Sequence, residues 1–469
     1  MNSPSCDSNC TPSTSSSCSR ISPASDGESS AIRFQEWFAT QSASSNIALK
    51  IDCDLVELRY CGPGQGFGLF AKENIRRDQT IIRIPKDLLI TASMVADLPE
   101  YAAILNRVRF EPFEVMAIFF SLEKLYACNS YCPHPSLNNF FEQRSKRNNN
   151  MDWLLIYQDV LPKNFSTALA LVTQINSTDE LIKQEKRKSA IIKQILQDLP
   201  STGRQLFHNQ LDEFKRLCNK ISSVLDGWKD VQLFSWGWHV VNTRCIFVDS
   251  PSVTRWHALV DSSKTGDTIA VIPIVDMLNH DIGAQCVGMF ENISQCYCVI
   301  SQNKSIAEGD QIFVCYGPHD NVKLWLEYGF DLGSDNIYNK VNLPLELFIV
   351  LAKETGLVTV NPEHEKVLLE AALPCTIYAS DDDPNYGLRK NCSILCMNSN
   401  QLCEWRRIVF EDDLNLGDNT QVEELVYAII RQLHTGLRIR MSRVKDKRIR
   451  SFWMDQIVIL QNLLTSRIR

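Results

Sequence analysis

Two stretches of strand-like sequence stand far apart in this chain, with helical sequence between and after them. Any sheet they share must be assembled across that gap. VELRYCGPGQGFGLFAKENIRRDQTIIRIPKDLLI, Val56 to Ile90, has short β-branched runs punctuated by Gly, Pro, Asn and Asp turns. From Ala92 to about Lys229 the texture is helical: PFEVMAIFFSLEKLYA, MDWLLIYQDVLP, ELIKQEKRKSAIIKQILQDLP and GRQLFHNQLDEFKRLCNKISSVL repeat apolar residues every three or four positions. DVQLFSWGWHVVNTRCIFVD reads as a return toward strand. VIPIVDML, CVGMFENISQCYCVIS and QIFVCYG continue it, and from Leu343 onward the pattern is helical again. The order predicts an α+β chain with a small β core split by helices and followed by helices. Its expected parts are residues 1–30, 50–95, 96–230, 231–335 and 340–469.

Composition narrows the classes. At 469 residues the chain is too long for one ordinary core, so two or three domains are expected. A hydrophobic fraction of 44% with 22% charged residues is globular, and a net charge of −7 sets up no global field for nucleic acid. No apolar run reaches the ~18 residues of a membrane helix, and the first 30 residues lack the pattern of a signal peptide. The 17 cysteines therefore read as reduced thiols of a cytoplasmic or nuclear protein, where sequons such as that at Asn176 carry no meaning. Cys286, Cys296, Cys298 and Cys315 could form a zinc set, but no CxxC pair occurs and they are scattered over apolar segments, so no metal is expected. Residues 1–30, rich in Ser, Pro and Thr, are expected to be disordered, with a short helix from Ile32 to Phe38 starting the ordered part.

Four segments could carry chemistry. IPIVDMLNHD opens as a buried strand and ends in Asp276, Asn279, His280 and Asp281, which either cap a turn or meet something polar at the strand's end. GQGFGLFA sets Gly66 and Gly68 between two strands, as a hairpin turn or as a place for close backbone approach. It is neither a P-loop nor a dinucleotide fingerprint, lacking the Lys-Ser/Thr and the third Gly with its helix. VNTRCIFVD puts Arg244 between apolar runs, where it needs a carboxylate or carbonyl partner. YGPHDNVKLWLEYGF puts Tyr316 at a strand end, then a short helix capped by Asp320, then Tyr328 and Phe330. Each ring alone reads as core; together they suggest an aromatic slot. RIRMSRVKDKRIR, Arg438 to Arg450, has seven Arg or Lys and one Asp. It is a nucleic-acid patch, an import signal or, the better reading, a solvated helix face.

GFGLFA, VNTRCIF, IPIVDMLNHD and FVCYGPHDNVKLWLEYGF, in that order, resemble the SET-domain methyltransferases, in the subgroup that includes the Rubisco large-subunit lysine methyltransferase and the actin-histidine methyltransferase. The likeness is specific over about Leu55 to Leu332 and rests on texture beyond. It implies a SET β core split by a helical insert and followed by an all-helical C-terminal substrate-binding domain. It also implies S-adenosyl-L-methionine as cofactor. By position, Asn279 and His280 would contact it, with Asp276 supporting their loop, Gly66 and Gly68 nearby, the backbone of Gln79, Thr80 and Ile81 holding it, and Arg244 beside it. Tyr316 matches the catalytic tyrosine. Tyr328 and Phe330 match the channel aromatics, Phe330 also facing the cofactor. The cysteine-rich zinc segment of many SET proteins is missing, as in this subgroup. A metal role for His280 is disfavoured, and its bland alternative is a buried histidine shaping a turn.

Methyl transfer from a sulfonium to an amine is an in-line displacement, and alignment can supply ~7–11 kcal/mol of its barrier. Aromatic faces favour the sulfonium. An apolar channel lowers the pKa of an incoming lysine, so no strong base is needed. The histidine-directed relative has an Asn two positions after the arginine. Ile246 stands there in this chain, with Cys245 between, and cannot make that hydrogen bond, which favours lysine in a histone or non-histone protein. Two other readings stand beside this one. A catalytically silent SET-type binding module would not need Asn279, His280 and Tyr316 together, and a nucleic-acid scaffold is opposed by the acidic balance. Neither a membrane partner nor an oligomeric state is indicated.

Overall fold

The computed structural model describes residues 23–42, 53–62, 64–128, 132–147, 153–174, 181–250, 257–261, 269–302, 304–381, 384, 386–410 and 419–466. Among them strands from both halves of the chain meet in one sheet. β1 (Val56–Tyr60), β2 (Phe67–Ala71) and β3 (Thr80–Pro85) come from the first half; β6 (Asn279–His280), β7 (Cys286–Glu291), β8 (Cys296–Ser301) and β9 (Gln311–Val314) from the second. β4 (Cys245–Phe247) and β5 (Ile269–Val271) form a separate antiparallel pair. The main order is β1-β2-β9-β7-β8-β3. The two-residue strand β6 runs parallel to β9, setting Asn279 opposite Phe313 and His280 opposite Val314. The chain therefore leaves β6, makes the β7–β8 hairpin, and returns as β9 alongside β6 with Tyr316 just beyond.

The insert is helical and packs into the same core. Helix Pro112–Cys128 buries Val115 to Leu122 almost all round, as a helix enclosed by protein does. It packs closely against helix Val231–Arg244, because a Cβ on Gly237 would lie 2.4 Å from the Ala117 carbonyl oxygen and 2.1 Å from Ser121 Oγ. That second helix corrects the sequence reading, which took DVQLFSWGWHVV for strand. Asp230 caps it by accepting from Leu233 N–H. Burial of Phe234, Trp236, Trp238, Val240 and Val241 on several faces hides its amphipathic period.

Three further expectations change. Helix Pro23–Ser42 takes in residues 23–30 of the segment expected to be disordered, and begins well before Ile32. Ala31 and Phe34 are buried, Phe34 stacks on Tyr157 at 5.7 Å, and Trp37 stacks on Trp153 at 5.5 Å, so aromatic packing on the insert holds the helix. Residues 1–22 lie outside the described residues. Among the described residues the C-terminal region is helical but for one antiparallel pair, β10 (Lys340–Leu343) with β11 (Cys375–Tyr378), whose alternately buried Val341, Leu343, Cys375 and Ile377 face that region's own core. Finally, IPIVDML is buried but not a strand. After β5 it turns, with Ile274 at φ +72°, and passes through a short 3-10 helix, Val275–Met277. Positive φ at a β-branched residue is a strained conformation, held here by its surroundings. No helix among the described residues is long and apolar enough to cross a membrane.

Candidate active site

The β6–β9 pairing brings His280 and Tyr316 together. Tyr316 N–H donates to His280 Nδ1 at 3.1 Å, and the rings stack at 5.1 Å. Because Nδ1 accepts, the proton of the neutral imidazole belongs on Nε2. Burial holds the ring in that neutral form, lowering its pKa against the opposing pull of the Val314 carbonyl and Asp281. His280 Nε2 is buried and has no hydrogen-bond partner among the described residues. A buried N–H without an acceptor is costly, so it marks a place where a ligand oxygen or nitrogen would be welcome.

Tyr316 Oη donates to the Leu278 carbonyl at 2.7 Å, and burial pushes its pKa up to about 12. The phenol thus stays neutral with its oxygen lone pairs open. Tyr328 lies 5.0 Å from Tyr316, and Phe330 lies 6.4 Å from Tyr316, 6.2 Å from Tyr328 and 6.0 Å from His280, all between ring centroids. Gly329, at φ +89°, ends the helix Asn321–Tyr328 and turns Phe330 back onto this group. The three aromatics read from YG and YGF therefore form one wall.

Behind that wall is a charged anchor. Arg244, at the end of its helix, donates to the Asp276 carbonyl at 2.7 Å and lies 3.4 Å from Asp276 Oδ2. The Arg244 partner expected from sequence is thus a carbonyl and a carboxylate of the same residue. Tyr157, from the insert, donates to Asp276 Oδ2 at 2.8 Å, while Asp276 Oδ1 is buried without a partner among the described residues. Burial raises the Asp276 pKa to about 6, against the lowering effects of Arg244 and Tyr157.

The glycine turn completes the site from the other side. Gly66 takes φ +67°, and its carbonyl accepts from Cys61 N–H at 2.7 Å, closing the β1–β2 hairpin. Asn279 Nδ2 donates to the Phe67 carbonyl at 3.2 Å. A Cβ on Gly68 would lie 3.0 Å from Asn279 Nδ2 and 2.3 Å from Gln311 Nε2, so Gly68 is where the turn and the Asn-His pair meet at close range.

Not every predicted residue joins this group. Gln79, Thr80 and Ile81 lie at the start of β3: the Gln79 carbonyl accepts from Ser301 N–H at 2.9 Å, Thr80 pairs with Ile300, and Ile81 is buried in the core. In the strand order β8 and β7 separate β3 from β9. Ile246 is half-buried in β4, opposite Ala270. Sequence reasoning missed Tyr157, and gave no role to Asn242, whose Nδ2 donates to the Glu327 carbonyl at 2.7 Å and so ties the Arg244 helix to the Tyr328 helix. The quoted VNTR and LEYGF motifs contained both ends of that bond. Nothing near Tyr157 in the sequence signals its partner 119 residues away.

This is the construction of a SET domain, and the SET domain family model matches residues 66–317, more than half of the chain. The chain belongs to that methyltransferase family. It is 25% identical over 403 residues to SET domain-containing protein 4 of Mus musculus, covering 84% of this chain and 81% of that protein. It is 22% identical over 381 residues to the actin-histidine N-methyltransferase of Xenopus tropicalis, covering 78% of this chain but only 54% of that protein. Among solved structures, Rubisco LSMT bound to AdoMet shares the fold at a TM-score of 0.52 and 16% identity, covering 95% of this chain and 91% of that one.

Proposed function

We propose that this chain is an S-adenosyl-L-methionine-dependent protein-lysine N-methyltransferase. The observation that carries the reading is the closed group of His280 and Tyr316, with an unpartnered buried Nε2–H on one side and the aromatic wall on the other. The residues fit the cofactor: a lone donor for one of its polar atoms, ring faces for its sulfonium, and Gly68 leaving room where a side chain would intrude. When bound, the cofactor supplies an electrophilic methyl group.

The chain's own residues position and shield. Asn279 and His280 hold the cofactor, with Gly66 and Gly68 beside it and Arg244–Asp276 bracing the loop. Neutral Tyr316 offers oxygen lone pairs to polarised C–H groups, each contact worth about 0.5–1 kcal/mol. Tyr328 and Phe330 exclude water and disfavour an ammonium, so an entering lysine loses its proton more readily. Ile246 in place of a hydrogen-bonding residue favours lysine. The actin-histidine relative keeps histidine as the second reading. The AdoMet-bound neighbour supports the cofactor, and we place the protein in the cytoplasm or nucleus.

The test is calorimetric titration of S-adenosyl-L-methionine into the purified chain and its Asn279→Ala variant, followed by transfer of labelled methyl to cell protein and acid hydrolysis. One-to-one binding lost in the variant and label in methyllysine are expected. Label in methylhistidine would refute lysine specificity, and no binding by a folded wild type would refute the enzyme.

A further inference from the structure

The Arg438–Arg450 run is left unused by the site, and the structure shows what it builds. Helices Asn419–Arg443 and Lys447–Ser466 meet at a tight corner between them. The Arg450 guanidinium donates to the Val444 carbonyl at 2.6 Å, and Asp446 caps the second helix, its Oδ1 accepting from Arg448 and Ile449 N–H at 2.9 Å. Arg440 donates to the Gln197 carbonyl. Arg438, Arg443, Lys445 and Lys447 are exposed, and among the described residues no hydrogen bond or ion pair engages them. Four cations without a partner among the described residues thus lie along the end of one helix, the turn and the start of the next, in a chain whose net charge is −7.

The second helix of the corner is fixed to the helix that ends at Tyr328 and to the residue after Phe330. Phe452 packs on Trp325 at 5.6 Å, Asn321 Nδ2 donates to Asp455 Oδ2 at 2.8 Å, and Arg448 lies 3.7 Å from Asp331, the residue after Phe330. Trp453 Nε1 donates to the Asp198 carbonyl at 2.7 Å, pinning the same helix to the insert. The cationic run is therefore anchored to the helix that ends at Tyr328 and to the insert rather than standing on a loose tail.

We propose that this corner docks an acidic segment of the protein substrate. The inference rests on the methyltransferase reading and names a substrate class for it. Complementary charge steers encounter and fixes register more than it adds affinity. A protein segment suits the corner better than nucleic acid, since four such cations fall short of the ~6–10 phosphate contacts of a strong binder.

The test uses the full chain and fluorescence anisotropy with three labelled probes: a Glu-rich 12-residue peptide with one central Lys, its Gln counterpart, and a single-stranded 12-nucleotide DNA. The variants are Arg443→Glu/Lys445→Glu/Lys447→Glu and the corresponding triple Gln change, each checked by thermal melting and S-adenosyl-L-methionine titration. The Glu peptide should bind roughly 10-fold tighter than the Gln peptide, and both variants should remove that difference, the Glu variant more fully. Equal binding of the two peptides, or a variant that binds like wild type, overturns the proposal. DNA binding tighter than the Glu peptide would make the corner a nucleic-acid surface and overturn it as well. Cofactor binding is read separately, so its loss in the wild type would sink the enzyme reading whatever the peptides do.

Discussion

Tyr157→Phe should move the pH dependence of cofactor binding. Asp276 is fully buried, and its carboxylate depends on the Tyr157 hydroxyl at 2.8 Å and on Arg244 at 3.4 Å. Burial nonetheless raises its pKa from 3.8 to about 6. Because the folded value lies above the unfolded one, the folded chain holds this proton more tightly. That contribution to stability is full below about 4, declines as pH rises, and is lost above about 6, a span worth ~3 kcal/mol. Stability and function thus pull apart: the fold favours protonated Asp276, whereas the 3.4 Å ion pair that adds to Arg244's bond with the Asp276 carbonyl needs the carboxylate. Cofactor binding should therefore weaken as pH falls through about 6.

Removing the Tyr157 hydroxyl deletes a hydrogen bond to a charged acceptor, about 1.5–3 kcal/mol, and this is an upward push on the acid limb of about 1 to 2 pH units. The Phe ring keeps its packing against Phe34. S-adenosyl-L-methionine affinity measured by calorimetry from pH 5 to 9 is the assay, since turnover would mix in the ionisation of the substrate amine. Burial lowers the His280 pKa as well, but no hydrogen bond or ring contact among the described residues joins Tyr157 to it, so a limb set by His280 would stay in place. A limb that moves by less than about 0.3 pH units refutes the coupling of Tyr157 through Asp276 to the cofactor.

Three shorter predictions follow from the same geometry. Tyr316→Phe removes the neutral oxygen and its bond to the Leu278 carbonyl; methyl-transfer turnover should fall roughly 10- to 100-fold while calorimetric cofactor binding persists, and an unchanged rate would end its assigned role. Gly68→Ala puts a methyl 3.0 Å from Asn279 Nδ2 and 2.3 Å from the mobile end of Gln311, so cofactor affinity should drop roughly 10-fold with the melting temperature little changed. Gly237→Ala meets the Ala117 carbonyl at 2.4 Å, backbone that cannot yield, and should cost about 1–3 kcal/mol in denaturant unfolding.

What the sequence disclosed depended on range. Motifs that act within a few residues, such as the Asn-His pair that forms β6, the tyrosine after β9 and the YGF at the end of its helix, were legible and meet in the structure. The Arg244 partner was legible as a type but not as Asp276, since a lone arginine between apolar runs announces only that a partner exists. The Val231–Arg244 helix was misread because burial on several faces erases the 3.6-residue period, leaving aromatics that look like strand. The start of helix Pro23–Ser42 was hidden for the opposite reason: its composition is that of a tail, and it is held by Phe34 and Trp37 against insert aromatics more than a hundred residues on. The insert was read as an interruption of the β core. Through Tyr157 it supplies a partner of the buried Asp276 carboxylate, so a change inside the insert reaches the Arg244–Asp276 anchor without touching any motif of the family.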